Sequence, residues 1–353
     1  MEKKLRVAIL GATGAVGHEF LCLLEERRFP LQELKLLASS KSAGKKILFQ
    51  GHELTLEAAR PDSFKGMDLV LSSPGSAVSR ELAPHAVKAG ALMVDNTSAF
   101  RMNADVPLVV PEINPEDIAH HKGIIANPNC STIIMLVPLF PLHQAAKIKR
   151  IVAATYQAAS GAGAKAMQEL EHQSREILEG RKPTKQVFPH QIAFNLFSHN
   201  SAIQDGGYCE EEIKMMRETK KIFHDDQIQV VATTVRVPVF RAHSEALFVE
   251  LEREIRLEEI RELLEHAPGV RVLDDRERNH FPMPVEASGQ DPILVGRIRK
   301  DSTVPNGIAL FVSGDQLRKG AALNAIQIAE LAFKIKSEHR PHPNRSPQPA
   351  DPS

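Results

Sequence analysis

The segment around Cys130 has the residue types of a covalent acyl-transfer site. Residues 124–132 read Ile-Ile-Ala-Asn-Pro-Asn-Cys-Ser-Thr. The apolar start predicts a strand, Pro128 favours an extended turn, and a helical pattern begins at about Ser131. Cys130 is therefore expected at or near a helix N-terminus. The positive end of the helix favours the thiolate there, which is the form that attacks acyl groups.

The other two cysteines give weaker signals. Cys22 falls in an amphipathic helical pattern and is expected to be a small buried residue. Cys209 precedes three glutamates at a predicted helix start, which disfavours a thiolate, so we expect a structural role. Three scattered cysteines suit neither a disulfide framework nor a CxxC metal site. They predict a reducing compartment, the cytoplasm, and no metal ion.

A glycine loop is the second chemical signal. Gly11, Gly14 and Gly17 lie between a predicted strand at 6–10 and a predicted helix at 16–26. Glycines allow a tight turn and close approach to a pyrophosphate, and the helix N-terminus supplies N–H donors. This context predicts a dinucleotide site, although a purely structural turn is the alternative. The predicted contacts are Gly11, Thr13, Gly14, Ala15, Val16 and Gly17.

The end of the second predicted strand indicates which dinucleotide is bound. An NAD-specific loop usually places Asp or Glu there for the ribose hydroxyls. This chain has Ser39-Ser-Lys-Ser42 after Ala38 instead. Hydroxyls and a lysine suit the extra phosphate of NADP, so we predict contacts from Ser39, Lys41 and Ser42. A solvated polar loop is the alternative interpretation.

The elements that must position these groups fall into two patterns. Up to residue 127, strands at 6–10, 34–38, 67–72 and 91–95 alternate with helices at 16–26 and 79–89, which predicts a parallel, doubly wound Rossmann-type sheet. Residues 128–320 predict an α+β domain on a mixed or antiparallel sheet. Its strands are expected at 149–155, 227–239, 245–252, 293–299 and 307–313, and its helices at 164–178 and 210–223. A final helix is expected within 321–338, followed by a proline-rich, disordered tail at 339–353.

Composition excludes several classes of partner. The 353 residues include 44 basic and 44 acidic side chains, a neutral balance that gives no sign of nucleic acid or an anionic membrane as partner. The apolar run at 5–10 is too short for a secretory signal. The longest apolar run, 133–142, contains two prolines and is half a membrane span. The prediction is a cytoplasmic protein.

Several motifs together resemble one enzyme family over residues 5 to 336. They are the loop at 11–17, Ser98-Ala-Phe-Arg101, Asn127-Pro-Asn-Cys130-Ser-Thr, Tyr156-Gln157-Ala-Ala-Ser-Gly161-Ala-Gly163, Glu211-x-x-Lys214, Val235-Arg-Val-Pro-Val239, His243 and Gly314-Asp-Gln316-Leu-Arg-Lys-Gly320-Ala-Ala-Leu-Asn324. The ensemble resembles aspartate-semialdehyde dehydrogenase. The resemblance implies NADPH-dependent conversion of 4-phospho-L-aspartate to L-aspartate 4-semialdehyde and phosphate through a cysteine thioester. It places that reaction in lysine, threonine and methionine biosynthesis. It also implies that the second domain is catalytic and forms a homodimer, and that the last helix returns to the first domain.

The resemblance also assigns roles to single residues. Cys130 is the nucleophile, His243 the proton shuttle, and Gln157 orients the substrate. Among fifteen histidines, chemistry alone selects none, although an ordinary imidazole titrates near neutral pH. The remaining roles are phosphate binding by Arg101, Asn129 and Lys214; ammonium binding by Glu211; carboxylate binding by Arg236; and cofactor contacts by Ser160, Gly161, Gln316 and Asn324.

Two of these assignments gain support from the residues alone. Arg236 lies between valines in a predicted apolar strand, where a charge should have a partner. Glu211 and Lys214 are three residues apart and so share one helix face, although an exposed ion pair is the default interpretation of such a pair.

Three alternatives remain at this stage. N-acetyl-glutamyl-phosphate reductase and glyceraldehyde-3-phosphate dehydrogenase share the thioester chemistry, but their cysteine segments usually differ from Asn-Pro-Asn-Cys-Ser-Thr. A non-catalytic NADP-binding homologue is the third, and the presence of Cys130, Arg236 and His243 argues against it. Aldehyde-dependent NADPH formation in the presence of phosphate separates an enzyme from such a homologue.

Overall fold

A computed structural model describes residues 4–335 of the chain, which form two compact units: 4–129 with 321–335, and 130–320. The strands are β1 (Leu5–Leu10), β2 (Leu31–Ala38), β3 (Lys46–Phe49), β4 (His52–Ala58), β5 (Leu69–Ser72), β6 (Leu92–Asp95), β7 (Ile124–Ala126), β8 (Ile148–Gln157), β9 (Phe197–Ser198), β10 (Gln229–Arg236), β11 (His243–Leu251), β12 (Val270–Val272), β13 (Ile293–Asp301) and β14 (Gly307–Gly314). The helices are α1 (Ala15–Glu26), α2 (Ser76–Lys88), α3 (Cys130–Ala146), α4 (Ala164–Leu178), α5 (Glu210–Phe223), α6 (Leu257–Glu265), α7 (Pro284–Ala287) and α8 (Leu323–Phe333).

The first unit is a twisted, mostly parallel sheet covered by helices on both faces. Its strand order is β3-β4-β2-β1-β5-β6-β7, and only the β3–β4 pair is antiparallel. Helices α1 and α8 pack on one face of this sheet and share one apolar cluster. Helix α2 packs on the other face over a second cluster. Parallel strands buried on both faces need the continuous apolar runs that this sequence provides. The buried ion pair between Arg27 and Glu330 joins α1 to α8 through two N–H···O bonds of 2.7 Å.

The second unit is a mixed sheet with helices packed on it. Its order is β12-β13-β14-β11-β8-β10-β9, in which β8–β10 and β12–β13 are parallel and the other pairs are antiparallel. Helix α3 is buried around nearly its whole circumference, which explains why its sequence lacks an amphipathic pattern. It packs against α5, α6 and the sheet.

The predicted fold class is confirmed, with local differences. The sequence predicted a strand through Val239, but β10 ends at Arg236. The Val237 N–H still donates to the Gln157 carbonyl, and Pro238 has no N–H with which to continue the ladder. The β3–β4 hairpin was not predicted. The last helix, expected over 321–338, begins at Leu323 after a π turn and ends at Phe333. The expected tail at 339–353 lies outside the described residues, and within them no helix is long and apolar enough to cross a membrane.

Candidate active site

Three residues assigned to the active site meet at one edge of the second sheet. Gln157 and Arg236 are the last residues of the parallel strands β8 and β10, and they lie opposite each other. His243 is the first residue of β11, which runs antiparallel to β8 on its other side, with Ser244 opposite Tyr156. The C-terminal ends of β8 and β10 and the start of β11 therefore point to the same edge.

Cys130 is the first residue of α3, as the sequence predicted. Its neighbour Ser131 accepts a 3.0 Å hydrogen bond from Gln157 Nε2, which ties the start of α3 to the end of β8. Gly320 lies against the cysteine, because a Cβ added there would be 3.1 Å from Cys130 Cβ. The thiol is thus held at a helix start beside the strand ends, where N–H groups and the helix dipole favour an anion.

Glu211 and Lys214 form the polar wall contributed by α5. Glu211 is buried in the first turn of the helix, and its Oε1 accepts a 3.2 Å hydrogen bond from Gln157 Nε2. Its Oε2 lies 3.6 Å from Lys214 Nζ. The two residues share one helix face, as predicted. The hydrogen bond to Gln157 places the pair at the strand-end site, so it is more than an exposed ion pair.

The environment of His243 defines its protonation state. The ring is fully buried, and its Nδ1 accepts a 3.0 Å hydrogen bond from the Ala158 N–H. A neutral imidazole with an accepting Nδ1 has its proton on Nε2, for which the described residues provide no hydrogen-bond partner. Burial lowers the pKa of His243 to about 3, the positive charge of Arg236 adds to this, and Glu211 opposes it. The lowered pKa favours the neutral ring, and the proton-shuttle role that the resemblance assigns to His243 stays a prediction.

Arg236 is the central cation of this edge. It is 3% exposed, its Nη1 donates to the Ala158 carbonyl at 2.8 Å, and its Nη2 lies 2.9 Å from His199 Nε2. The guanidinium lies over the Phe188 ring, 5.7 Å from its centroid. No described residue accepts a hydrogen bond from Nε. Its pKa is lowered by burial, while Glu211 and Cys130 oppose the shift, so both lie within electrostatic range.

A side chain at Gly161 would crowd the site. A Cβ at this position would stand 3.0 Å from Arg236 Nη1 and from both Cε1 and Nε2 of His243. The loop backbone therefore closes directly over the two side chains. The assignment of Gly161 to the cofactor stays a prediction, and its packing against His243 gives a second reason for its identity.

Gln316 and Ser160 bond to each other. Gln316 Nε2 donates to Ser160 Oγ, and its Oε1 accepts a 2.8 Å hydrogen bond from the Ala242 N–H. This buried amide thus links Ser160 to Ala242, the residue that precedes His243. The predicted cofactor contacts of the two residues stay predictions, and the contacts within the protein give Gln316 a positioning role.

Three neighbours of the site were not identified as site residues from the sequence. Ser131 adjoins Cys130. Glu245, fully buried two residues after His243, has no hydrogen-bond partner among the described residues for either oxygen. Burial, and secondarily the charge of Glu211, raise its pKa well above the usual value, which favours the protonated carboxyl. The third, His199, lies in a polar connection without periodicity, where only its residue type was a signal.

The glycine loop of the first unit fits a phosphate-binding turn. Gly11 has φ of +90°, and a Cβ there would be 2.7 Å from the Ser73 carbonyl oxygen. A Cβ on Gly17 would be 2.4 Å from the Gly11 oxygen. Helix α1 begins at Ala15. Its N-cap residue, Gly14, makes no side-chain hydrogen bond, so no cap from that residue occupies the N–H groups of the first turn.

The loop after β2 and the remaining predicted residues also lie in the first unit. Ser39 and Lys41 are exposed where β2 ends, and Ser42 is half-buried. Arg101 is buried and donates from Nε to the Asn127 carbonyl at 2.9 Å. Asn324 on α8 donates to Asn127 Oδ1 at 2.7 Å.

Asn129 is the last residue of the first unit and directly precedes Cys130. The hydrogen bonds of Arg101 and Asn324 both fix the Asn127-Pro-Asn129 turn that leads into Cys130. The phosphate and cofactor contacts assigned to Arg101, Asn129 and Asn324 stay predictions.

Comparison with known proteins identifies both units. Residues 6–121 match the family described as semialdehyde dehydrogenase, NAD binding domain, and residues 139–319 match semialdehyde dehydrogenase, dimerisation domain. Aspartate-semialdehyde dehydrogenase of Synechocystis is 59% identical over 331 residues, which cover 94% of this chain and 98% of the relative. The enzyme of Aquifex aeolicus is 54% identical over 333 residues, covering 93% and 98%.

Solved structures give the same result. A crystal structure of aspartate semialdehyde dehydrogenase II from Vibrio cholerae, complexed with ASA, is 45% identical, with a TM-score of 0.92 and coverage of 94% of this chain and 99% of that one. The enzyme of Candida albicans with NADP is 26% identical, with a TM-score of 0.73 and coverage of 95% and 100%. The protein therefore belongs to the aspartate-semialdehyde dehydrogenase family of oxidoreductases.

Proposed function

We propose that this protein reduces 4-phospho-L-aspartate to L-aspartate 4-semialdehyde and phosphate with NADPH, in the biosynthesis of lysine, threonine and methionine. The observation that carries the proposal is the second-unit site, where a cysteine at a helix start adjoins a buried arginine, glutamine and histidine. The relatives named for this activity support it, and one of their structures contains ASA. The reduced thiol that the chemistry requires supports a reducing compartment, the cytoplasm.

The charged groups of the site match the ends of an amino acid. Arg236 keeps its Nε–H without a protein acceptor, so a substrate carboxylate can bind it as a charged fork. The Glu211 carboxylate suits the ammonium group. Lys214, 3.6 Å from Glu211, is the cation proposed for the phosphate. The phosphate roles of Arg101 and Asn129 rest on the family resemblance.

The covalent steps use the residues at the strand ends. The Cys130 thiolate attacks the carbonyl carbon of the acyl phosphate, the C–O bond to phosphate breaks, and a thioester remains. NADPH, when bound, supplies the hydride that reduces this thioester. Hydride addition leaves a thiohemiacetal oxyanion on Cys130, to which the Nε2–H of His243 can donate a hydrogen bond. Collapse of this oxyanion breaks the C–S bond and releases the aldehyde and the Cys130 thiolate. Gln157, fixed by Ser131 and Glu211, holds the start of α3 and the α5 wall in register around the substrate.

The first unit fits the NADP that the family implies. A side chain at Gly11 or Gly17 would collide with backbone, so the loop keeps the close approach that a pyrophosphate needs. Gly14 leaves the N-terminus of α1 without a side-chain cap. Ser39 and Lys41 are exposed where a 2′-phosphate requires hydroxyls and a cation.

One assay tests this function. NADP, L-aspartate 4-semialdehyde and phosphate are mixed with the protein, and NADPH is followed by absorbance. Sustained NADPH formation that requires both aldehyde and phosphate is expected, and Cys130→Ser should abolish it while leaving NADP binding intact. NADP binding without NADPH formation would favour a non-catalytic homologue, and substantial activity in the serine variant would refute the covalent step.

We also propose a homodimer formed through the second unit, whose matched family is described as a dimerisation domain. Tyr156 and Phe248, on β8 and β11, are about 40% exposed, and the Tyr156 ring lies 6.2 Å from that of Phe311 on β14. An aromatic patch on a sheet face suits burial against a second copy. Light scattering after gel filtration should give twice the chain mass, and Phe248→Lys should shift it towards the monomer. A monomeric wild type would contradict this assembly.

A further inference from the structure

His199 lies directly beside Arg236 because the backbone fixes it there. Strand β9 pairs Phe197 with Arg236, and the His199 N–H then donates to the Thr234 carbonyl at 2.8 Å. This register brings His199 Nε2 to 2.9 Å from Arg236 Nη2. The contact joins the cation proposed for the substrate carboxylate to a histidine with no role in the reaction described above.

The partners of His199 determine which nitrogen accepts. Nδ1 lies 3.1 Å from Ser201 Oγ and 3.2 Å from the Ser201 N–H, and a neutral ring accepts at one nitrogen only. Arginine has no lone pair to offer, so Nε2 accepts from Arg236. In that tautomer Nδ1–H donates to Ser201 Oγ and cannot also accept from the Ser201 N–H. Burial lowers the pKa of His199 to about 4, with Glu211 opposing and Arg236 adding to the shift, so the neutral form is present at neutral pH.

Ser201 continues this chain of hydrogen bonds to the other end of the site. Its Oγ accepts a 3.2 Å hydrogen bond from the N–H of Glu211. A line of contacts thus runs from Arg236 through His199 and Ser201 to the first turn of α5. The group proposed for the carboxylate and the group proposed for the ammonium are held by one connected set of polar atoms.

We propose that His199 is a positioning residue that sets the selectivity for aldehydes bearing an α-carboxylate, by holding Arg236 in the orientation that binds that carboxylate. The inference rests on the proposed function. Arg236 has two fixed contacts: the Ala158 carbonyl holds Nη1 and His199 holds Nη2. Without His199, only the Nη1 hydrogen bond and the non-directional contact with the Phe188 ring remain, and the guanidinium can rotate about the Nη1 bond. A bidentate fork requires the guanidinium plane to be aligned with the plane of the carboxylate, so rotation of the guanidinium weakens carboxylate binding specifically.

The test compares two aldehydes in three variants. L-aspartate 4-semialdehyde has the carboxylate, and 3-aminopropanal has the same ammonium and aldehyde without it. His199→Phe keeps a ring but removes the acceptor, and His199→Gln restores an acceptor at a similar reach. His190→Phe, an exposed histidine in the same connection that packs on Phe197, is the matched control. Steady-state NADPH formation and the thermal unfolding midpoint are measured for each.

His199→Phe should reduce kcat/KM for aspartate semialdehyde by about 10- to 150-fold, mainly through KM, as expected for a lost charged hydrogen bond. The loss with 3-aminopropanal should be about 3-fold or less, and His199→Gln should recover most of the activity. Equal losses with both aldehydes, or no recovery with Gln, would overturn the inference. A wild type with no aspartate-semialdehyde activity would refute the proposed function itself, and this inference with it.

Discussion

Replacing Arg236 with lysine tests the carboxylate assignment while retaining the positive charge. In the structure, the guanidinium makes two hydrogen bonds with the protein, and no described residue accepts a hydrogen bond from its Nε–H. A lysine ammonium can reach the Ala158 carbonyl or His199, but it has no planar edge left for a carboxylate. We therefore expect Arg236→Lys to act as a severe change in substrate binding despite its conserved charge.

The magnitude follows from the burial of the site. Truncating one partner of a buried, hydrogen-bonded charge pair costs about 2–5 kcal/mol. Since each 1.4 kcal/mol is a factor of ten, kcat/KM for aspartate semialdehyde should fall by about 30- to 4,000-fold. The upper part of this range is favoured because Arg236 is 3% exposed, so water cannot replace the lost contact.

The assay uses three aldehydes with NADP and phosphate. Aspartate semialdehyde and succinic semialdehyde have a carboxylate, whereas 3-aminopropanal lacks one. In Arg236→Lys, kcat/KM should fall steeply for the two substrates that have a carboxylate and only slightly for 3-aminopropanal. Arg217→Lys, at an exposed position on α5, should leave all three unchanged. If Arg236→Lys lowers kcat/KM by the same factor for all three aldehydes, the arginine supports the fold or cofactor binding, and the carboxylate assignment is wrong.

Three further predictions concern the cofactor, the loop and the buried acid. Lys41→Ala should weaken the binding of NADP by about tenfold, as expected for one charged phosphate contact, and the binding of NAD far less. Equal loss of affinity for both cofactors in binding titrations would contradict a 2′-phosphate site. Gly161→Ala should lower kcat/KM by about 10- to 100-fold without a matching loss of thermal stability, because its Cβ displaces His243 and Arg236; unchanged kinetics would show that the site tolerates this shift. Glu245 has a raised pKa in the folded state, so its stabilising protonated form is fully present below the unfolded pKa and its contribution is lost as pH rises through the folded pKa. As the pH rises above the unfolded pKa, Glu245→Gln should therefore gain stability relative to wild type, by about 1.4 kcal/mol per pH unit until the folded pKa is reached; a constant difference in denaturant unfolding would refute the buried neutral acid.

Local pattern was sufficient for the elements of the fold. Helix periodicity predicted α4 and α5 with the bounds that the structure has, and apolar runs located the principal strands. The β3–β4 hairpin was missed, although Gln50-Gly51, both with positive φ, connects its strands in the way a two-residue turn requires. Strand β3 is only four residues long, too short for a periodic pattern to separate it from a loop.

The site itself depended on information that pattern does not contain. Gln157, Arg236 and His243 are far apart in sequence, and they meet only because β10 and β11 flank β8. Without strand order, the family resemblance alone could bring them together. His199 was missed because its role comes from pairing with β10, and the low pKa of His243 comes from burial and from Arg236, neither of which a single sequence specifies.

The most direct test of the covalent mechanism at Cys130 is a single-turnover experiment without phosphate. The protein is mixed with NADP and aspartate semialdehyde, quenched early, and examined for NADPH and for intact mass. The account predicts a burst of one NADPH per active site and one aspartyl group attached at Cys130 in the digested protein, with turnover resuming when phosphate is added. Cys130→Ser should show neither the burst nor the adduct. Rapid NADPH formation with no adduct at Cys130, or with the adduct at Cys22 or Cys209, would contradict the mechanism.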